Sequence, residues 1–355
     1  MGSEHVSSER STSGKRVRSA DARLGPPVSR QASSNGHDVW APMRPVINLL
    51  AGGVSDFRSP DVGRLADMKT RVLGTMAVSA IGLGGMPMSI EGRPERSRSI
   101  ATIHAALDAG VTLIDTADAY HVGAAEVGHN ETLIAEALSL YGGDTTNVLV
   151  ATKGGHLRPG DGSWTIDSSP EHLRSACEAS LARLGVEAIG LYQLHRPDAS
   201  GVPYEESVGA IGALLDAGKI RMAGISNANP DQIRTAQAVL GGRLVSVQNQ
   251  YSPAYRSSEP ELRLCQEMGI AFLPWSPLGG SSRAAELGSR FAAFQEIADA
   301  HGVSAQQVTL AWMLAAAPVV IPIPGSSRPE TVLDSARSVE LDLSADELER
   351  LSQIS

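Results

Sequence analysis

Four side chains that can move or bias a proton stand at the ends of three short apolar runs. Val111 to Ile114 runs into Asp115, and Tyr120 follows five residues later. Val148 to Thr152 runs into Lys153, and Ile189 to Leu194 runs into His195. An acid, a phenol, an ammonium and an imidazole on one rim suit the delivery of a proton to a carbonyl oxygen. A tyrosine with its ordinary pKa of about 10 is a weak acid at neutral pH. A neighbouring ammonium lowers that pKa, so Lys153 is expected to tune Tyr120. Asp115 can hold and balance the lysine, and His195 can hydrogen-bond and position a substrate oxygen.

These residues need a frame that brings three strand ends together. A hairpin is expected from Thr70–Leu73 and Met76–Val78, then a first core strand at Ala80–Leu83. Ile100, Ile103, His104 and Leu107 lie at helical spacing within 95–109. From there strand and helix alternate: Val111–Asp115, Asn130–Leu140, Val148–Lys153, then a helix opened by Pro170 that runs to Leu184. Ile189–His195, a helix over 204–217, Ile220–Ile225, Pro230–Leu240 and Leu244–Val247 follow. A helix over 259–268, the strand Ile270–Trp275, helices at 290–301 and 304–316, the strand Val319–Ile321 and helices at 329–339 and 344–354 complete the chain. Eight strand–helix units in one run predict an α/β fold, a parallel (β/α)8 TIM barrel. The N-terminal β-hairpin would cap its bottom, and extra helices would follow at the C-terminus. In such barrels the chemistry lies at the C-terminal ends of the strands, which is where the four residues fall.

The rest of the composition narrows the partners. A formal net charge of -9 over 355 residues argues against a nucleic acid or an anionic membrane surface as partner. No run reaches the roughly 20 apolar residues of a membrane span. Cys177 and Cys265 lie far apart in predicted helices, which suits buried thiols in a reducing cytoplasm. Residues 1–67 are rich in Ser, Arg, Gly and Pro and carry no strand or helix period. That composition predicts a disordered N-terminal extension, with Met68 as a candidate native start and 68–355 as the barrel domain. The Gly82-Leu83-Gly84-Gly85-Met86-Pro87 stretch begins like a dinucleotide fingerprint, but Pro87 occupies the place of the third glycine. No tyrosine is followed four residues later by lysine, and there is no phosphate-binding Walker loop or His-Glu-x-x-His zinc motif. No metal site is expected.

The motifs in this order resemble those of the aldo-keto reductase superfamily over Met68 to Ser355. Asp115-Thr116-Ala117-Asp118-Ala119-Tyr120 is similar to its Asp-to-Tyr signature, and Gly128-His129-Asn130-Glu131 to the opening of its second helix. Thr152-Lys153 and Leu194-His195 resemble its lysine and histidine motifs. The resemblance implies a catalytic tetrad of Asp115, Tyr120, Lys153 and His195, with Tyr120 as general acid. It also implies a nicotinamide cofactor, NADPH with NADH as a possibility, stretched across the barrel mouth. Ser226, Asn227 and Gln248 match residues that hold the carboxamide, and Trp275 matches the aromatic that stacks on the nicotinamide. Ser276, Pro277, Leu278 and Gly279 match the loop at the pyrophosphate; Gly325, Ser326 and Arg328 match the segment around the adenosine phosphate. Two departures stand out: His121 follows Tyr120 where many members carry glycine, and Thr331 occupies the place of an arginine common in NADPH-preferring relatives. His121 is expected to be an exposed loop residue, with a substrate contact as the alternative.

The implied activity is reduction of an aldehyde or ketone to an alcohol by hydride transfer, or the reverse. A cofactor-binding regulatory or redox-sensing subunit with slow turnover is the alternative. The partner expected in the first case is a small carbonyl or alcohol.

Overall fold

The computed structural model describes residues 68–198, 201–280 and 283–353. The expectations for residues 1–67 lie outside the described residues.

The described residues open with an antiparallel hairpin of β1 (Thr70–Leu73) and β2 (Met76–Ser79), turned at Gly74 with φ of 57°. A side chain at that glycine would meet Met222 and Val245 as well as the strain of the left-handed backbone. Leu73 and Val78 are fully buried and pack against Leu113, Leu149, Leu191 and Met222. Those four residues lie in the early parts of barrel strands, so the hairpin plugs the N-terminal end, as expected. Each such aliphatic side chain contributes about 1.5–3 kcal/mol by leaving water.

Seven parallel strands follow: β3 (Leu83–Gly84), β4 (Leu113–Asp115), β5 (Leu149–Gly154), β8 (Ile189–Leu194), β9 (Ile220–Ser226), β10 (Leu244–Gln248) and β11 (Ala271–Phe272). Between β5 and β8 lies a small antiparallel hairpin of β6 (His156–Leu157) and β7 (Thr165–Ile166). The sheet order is β11-β10-β9-β8-β5-β4-β3. Residues 319–325 close it into an eight-stranded barrel. On one side Ile321 and Ile323 donate backbone N–H groups to Phe272 (2.8 Å) and Pro274 (3.2 Å). On the other, the Pro322 and Pro324 carbonyls each accept at 2.9 Å from Gly82 and Gly84. The two prolines have no N–H to return to β3. The expected eighth strand at 319–321 is therefore a run of isolated bridges at Val320 and Gly325. The first core strand begins later than expected for the same reason, since its ladder starts at Leu83.

The outer layer consists of α1 (Arg96–Asp108), α2 (His129–Leu140), α3 (Pro170–Leu184), α4 (Tyr204–Asp216), α5 (Pro230–Val239) and α6 (Glu259–Met268). After them come α7 (Leu287–Arg290), α8 (Ala292–His301), α9 (Ala305–Ala316), α10 (Pro329–Arg337) and α11 (Ala345–Ser352). Their limits follow local chemistry. Ser169 accepts from the His172 N–H ahead of Pro170, and Gly185 ends α3 at φ 65°. Asn229 and Gln232 form a capping box on α5. Ile103 and Ala106 of α1 share a buried cluster with Leu133, Ile134 and Ala137 of α2 and with Val332 and Ala336 of α10. The helix expected over 290–301 is interrupted at Phe291, whose φ and ψ of -131° and 85° are not helical. The helix expected to run to 339 gives way at Arg337 to a 3-10 turn, Ser338–Glu340. Cys177 and Cys265 are buried free thiols, and burial raises both pKa values to about 12.

Candidate active site

Strand register alone brings three of the four rim residues into line. Asp115 sits opposite Ala151 in the β4–β5 ladder, and Lys153 lies two residues further along β5. Alternate residues share a face, so Lys153 points to the same side as Ala151, into the barrel. Lys153 is itself opposite Gln193, and the His195 N–H bonds the Gly154 carbonyl at 2.9 Å. Tyr120, on the loop after β4, turns back over them with 7% of its surface exposed.

The Lys153 ammonium is fully buried and uses all three hydrogens. It donates to Asp115 Oδ2 at 2.7 Å, to the Thr116 carbonyl at 2.8 Å and to the Tyr120 hydroxyl at 3.2 Å. Gln248 Nε2 donates to the second Asp115 oxygen at 2.7 Å. Two short donors on two oxygens are the geometry of a carboxylate, and the Lys153–Asp115 contact is a buried ion pair. Burial works against the ammonium, yet Asp115 and Tyr120 outweigh it and hold the Lys153 pKa above its ordinary value. Burial pushes the Tyr120 phenol up; Lys153 pulls the other way without cancelling it. The ammonium's lowering effect is thus present as expected but is the smaller of the two. His195 is held well below its usual range, by burial first and then by the charge of Lys153. The site therefore offers a protonated phenol, a charged lysine and a neutral imidazole, with the Tyr120 and His195 rings edge-on at 5.8 Å.

A cavity of about 530 Å³ opens above this cluster. Asp115, Tyr120 and His195 line its floor, and Lys153 lies beneath them without exposed surface. Ser226, Asn227 and Gln248 line one wall; Trp275, Ser276, Pro277 and Leu278 continue it, and Gly325 lies beyond. Asn227 and Ser276 both have left-handed backbone, with φ of 57° and 49°. That conformation is uncommon outside glycine. It turns the Asn227 amide onto the His195 carbonyl at 3.0 Å and the Ser226 hydroxyl at 2.9 Å. Both Asn227 hydrogens are thereby used, and its Oδ1 stays available as an acceptor. Ser226 donates to the Gln248 carbonyl at 2.7 Å.

Three of the expected residues stand off the cavity wall. Gly279, in the loop after Leu278, turns at φ 86°. Ser326 is buried, and its hydroxyl donates to the Arg328 carbonyl at 3.0 Å and pairs with Thr331. Arg328 is exposed at the N-cap position of α10, where its guanidinium makes no hydrogen bond among the described residues. His121 departs from expectation. It is buried, with Nδ1 2.9 Å from the Gly123 carbonyl and its own carbonyl accepting from Arg158. The longer loop after Tyr120 thus folds inward.

Sequence reasoning missed the β6–β7 hairpin and with it His156 and Trp164, which line the cavity together with Arg196. A cue was present: Gly155 and the Gly160-Asp161-Gly162 turn supply the positive φ angles, 99°, 97° and 87°, that such a hairpin uses. No group of His, Cys, Asp and Glu able to hold a metal occurs among the described residues. Nor, among them, is any helix long and apolar enough to cross a membrane.

A parallel α/β barrel whose C-terminal rim holds a buried phenol, ammonium, carboxylate and imidazole below a cavity places groups able to handle protons where such barrels carry their chemistry. Residues 80–355 match the sequence model of the Aldo/keto reductase family. The chain belongs to that family. It is 34% identical over 285 residues to an oxidoreductase of Schizosaccharomyces pombe, covering 79% of this chain and 88% of the relative. It is 34% identical over 273 residues to 6-dehydroglucose reductase of Novosphingobium aromaticivorans, with 75% and 88% covered. The crystal structure of an aldo/keto reductase from Klebsiella pneumoniae in complex with NADP and acetate superposes with a TM-score of 0.68 at 28% identity, covering 81% of this chain and 95% of that one.

Proposed function

We propose that the chain reduces an aldehyde or ketone to an alcohol, or runs the reverse reaction, with NADPH as cofactor and Tyr120 as general acid. The observation that carries this is the Tyr120 hydroxyl at the cavity floor, 3.2 Å from a lysine whose other hydrogens are committed to Asp115 and the Thr116 carbonyl. A phenol so placed keeps its proton at neutral pH, because burial dominates its pKa. As that proton leaves for a carbonyl oxygen, the phenolate that forms lies against the charged ammonium, and the preorganised charge stabilises it. Asp115 keeps the ammonium charged and aimed. Neutral His195 donates to the same oxygen without adding a second cation beside Lys153.

The residues fit a nicotinamide cofactor. Asn227 Oδ1 and the Gln248 amide oxygen accept no hydrogen bond among the described residues and suit a carboxamide NH₂. Trp275, Pro277 and Leu278 give an apolar wall for a flat ring. Arg328 at the start of α10 offers a fork for a phosphate. When bound, the cofactor supplies the hydride. The Klebsiella pneumoniae relative, in complex with NADP, supports the choice.

The test is turnover. Purified protein with NADPH and a panel of aldehydes, ketones and sugars should oxidise the cofactor at about 1 s⁻¹ or faster on its best substrate. A single burst of one equivalent, with no steady rate on any member, would favour the regulatory subunit instead.

A further inference from the structure

Among the described residues, the cavity wall carries two side chains of fixed charge, Asp115 and Arg196. Asp115 is neutralised by Lys153 at 2.7 Å. Arg196 has no such partner. It follows His195 directly and is half-buried, and its guanidinium makes no hydrogen bond or ion pair among the described residues. Its neighbours leave that charge uncompensated. His156 lies edge-on to His195 at 4.9 Å, and its pKa is held down to about 4 by burial first and by Arg196 second, so it stays neutral. The Trp164 ring lies 4.6 Å from that of His156, and the Arg158 guanidinium lies over the Trp164 ring at 4.9 Å. Among the described residues, a protein of net charge -9 therefore keeps an unpaired cation on the wall of this cavity.

The position separates this cation from the cofactor. The residues assigned to the nicotinamide and phosphates follow β9, β10, β11 and the 319–325 segment. Arg196 follows β8, and the His156–Trp164 hairpin follows β5, on the other side of His195 in the sheet order. A guanidinium presents several donors in a flat fork that matches a carboxylate or phosphate. In a site walled by Trp164, Ile166 and Trp275 it faces less competition from water than at an open surface. A neutral substrate would leave this half-buried charge with water alone as its partner.

We propose that the substrates of this site carry an anionic group, a carboxylate or a phosphate, besides the carbonyl, and that Arg196 is the residue that selects them. The proposal rests on the carbonyl-reductase reading above. It is tested with matched pairs: butanal against 4-oxobutanoate, and glyceraldehyde against its 3-phosphate. The charged member should have the higher kcat/KM by about tenfold or more, the scale of one charge-assisted contact, mainly through a lower KM. Arg196→Gln should bring that ratio close to one, and Arg196→Lys should keep part of it. NADPH titration of each variant reports that it is folded. The larger of the two ratios says which anion the site takes. Equal kcat/KM within both pairs for the wild type overturns the proposal while leaving carbonyl reduction intact, as does an undiminished ratio in Arg196→Gln. No turnover of any of the four, with turnover elsewhere on the panel above, overturns this proposal alone; no turnover on the whole panel overturns the reductase reading and this proposal with it.

Discussion

Tyr120→Phe removes one hydroxyl and leaves the ring that packs edge-on to His195. Its effect on folding and on chemistry should therefore separate. In the folded protein Lys153 retains its bonds to Asp115 and Thr116, at 2.7 and 2.8 Å, and loses only the longest, at 3.2 Å. The cost is one hydrogen bond, about 1 kcal/mol, offset in part because a polar hydroxyl no longer has to be buried. In the proposed reaction the same change removes the proton donor. Loss of a positioned general acid slows a reaction by about 10²–10⁴-fold, or roughly 3–5 kcal/mol at 1.36 kcal/mol per factor of ten. The assay pairs steady-state reduction of the best substrate with NADPH titration by tryptophan quenching and urea denaturation. The expected pattern is a collapse in kcat with cofactor affinity and denaturation midpoint nearly unchanged. A Phe variant that reduces the substrate within threefold of wild type would refute the acid role of Tyr120. A variant that is equally slow but has also lost cofactor binding would show the ring's position, and not its proton, to be what matters.

Three further outcomes follow from the geometry. Asp115→Asn strips the fully buried Lys153 ammonium of its ion-pair partner, and should lower stability by about 3–5 kcal/mol; a urea midpoint that moves by less than the equivalent of ~1 kcal/mol would show that the pair is not structurally needed. Asp118 is buried with Oδ1 unpartnered, and burial first, then the Glu131 charge, raises its pKa to about 8. Between the ordinary carboxylate pKa and that value the folded protein holds a proton the unfolded chain has released, so stability drains as pH rises, by up to ~1.4 kcal/mol per unit. Asp118→Asn should therefore melt higher than wild type by a margin that widens from pH 5 to pH 8, and a constant margin would reject the titration. For cofactor choice, NADPH should bind about ten- to hundredfold more tightly than NADH, the scale of a charged hydrogen bond. Arg328→Ala should remove most of that gap; equal affinities in the wild type would sink the NADPH assignment, and an unchanged gap in the variant would clear Arg328.

Much of this site is legible in the chain because two signals coincide there. Apolar runs such as Ile189–Leu194 mark buried strands whatever the fold, and the polar residue that ends each run is then bound to the rim. That rule placed Asp115, Lys153, His195 and Gln248 without reference to any partner. Elements that depend on a neighbour were less legible. Residues 319–325 look like a short strand because Val319, Val320 and Ile321 are apolar, but Pro322 and Pro324 decide how they pair, and that is visible only against the Gly82 and Gly84 donors. The His156–Ile166 hairpin carries no apolar alternation strong enough to announce it. His121 reads as an exposed loop residue, but the fold buries it, with Arg158 on its carbonyl and its own ring against the Gly123 carbonyl.

Tyr120 shows the same limit in energetic form. Sequence proximity to a lysine fixes the sign of one interaction, a pull toward the phenolate. The net depends on how much water the fold removes, and that is a property of the whole rim. With Lys153 wholly buried and Tyr120 nearly so, desolvation wins and the phenol remains an acid. This ordering suits reduction better than the expected one would. A phenol already ionised at neutral pH has no proton to give, whereas one held neutral beside a charged lysine gains the ammonium's stabilisation only as its proton departs. In the proposed reduction the lysine would then act on the transition state more than on the resting site, which is the condition for an interaction to speed a reaction at all.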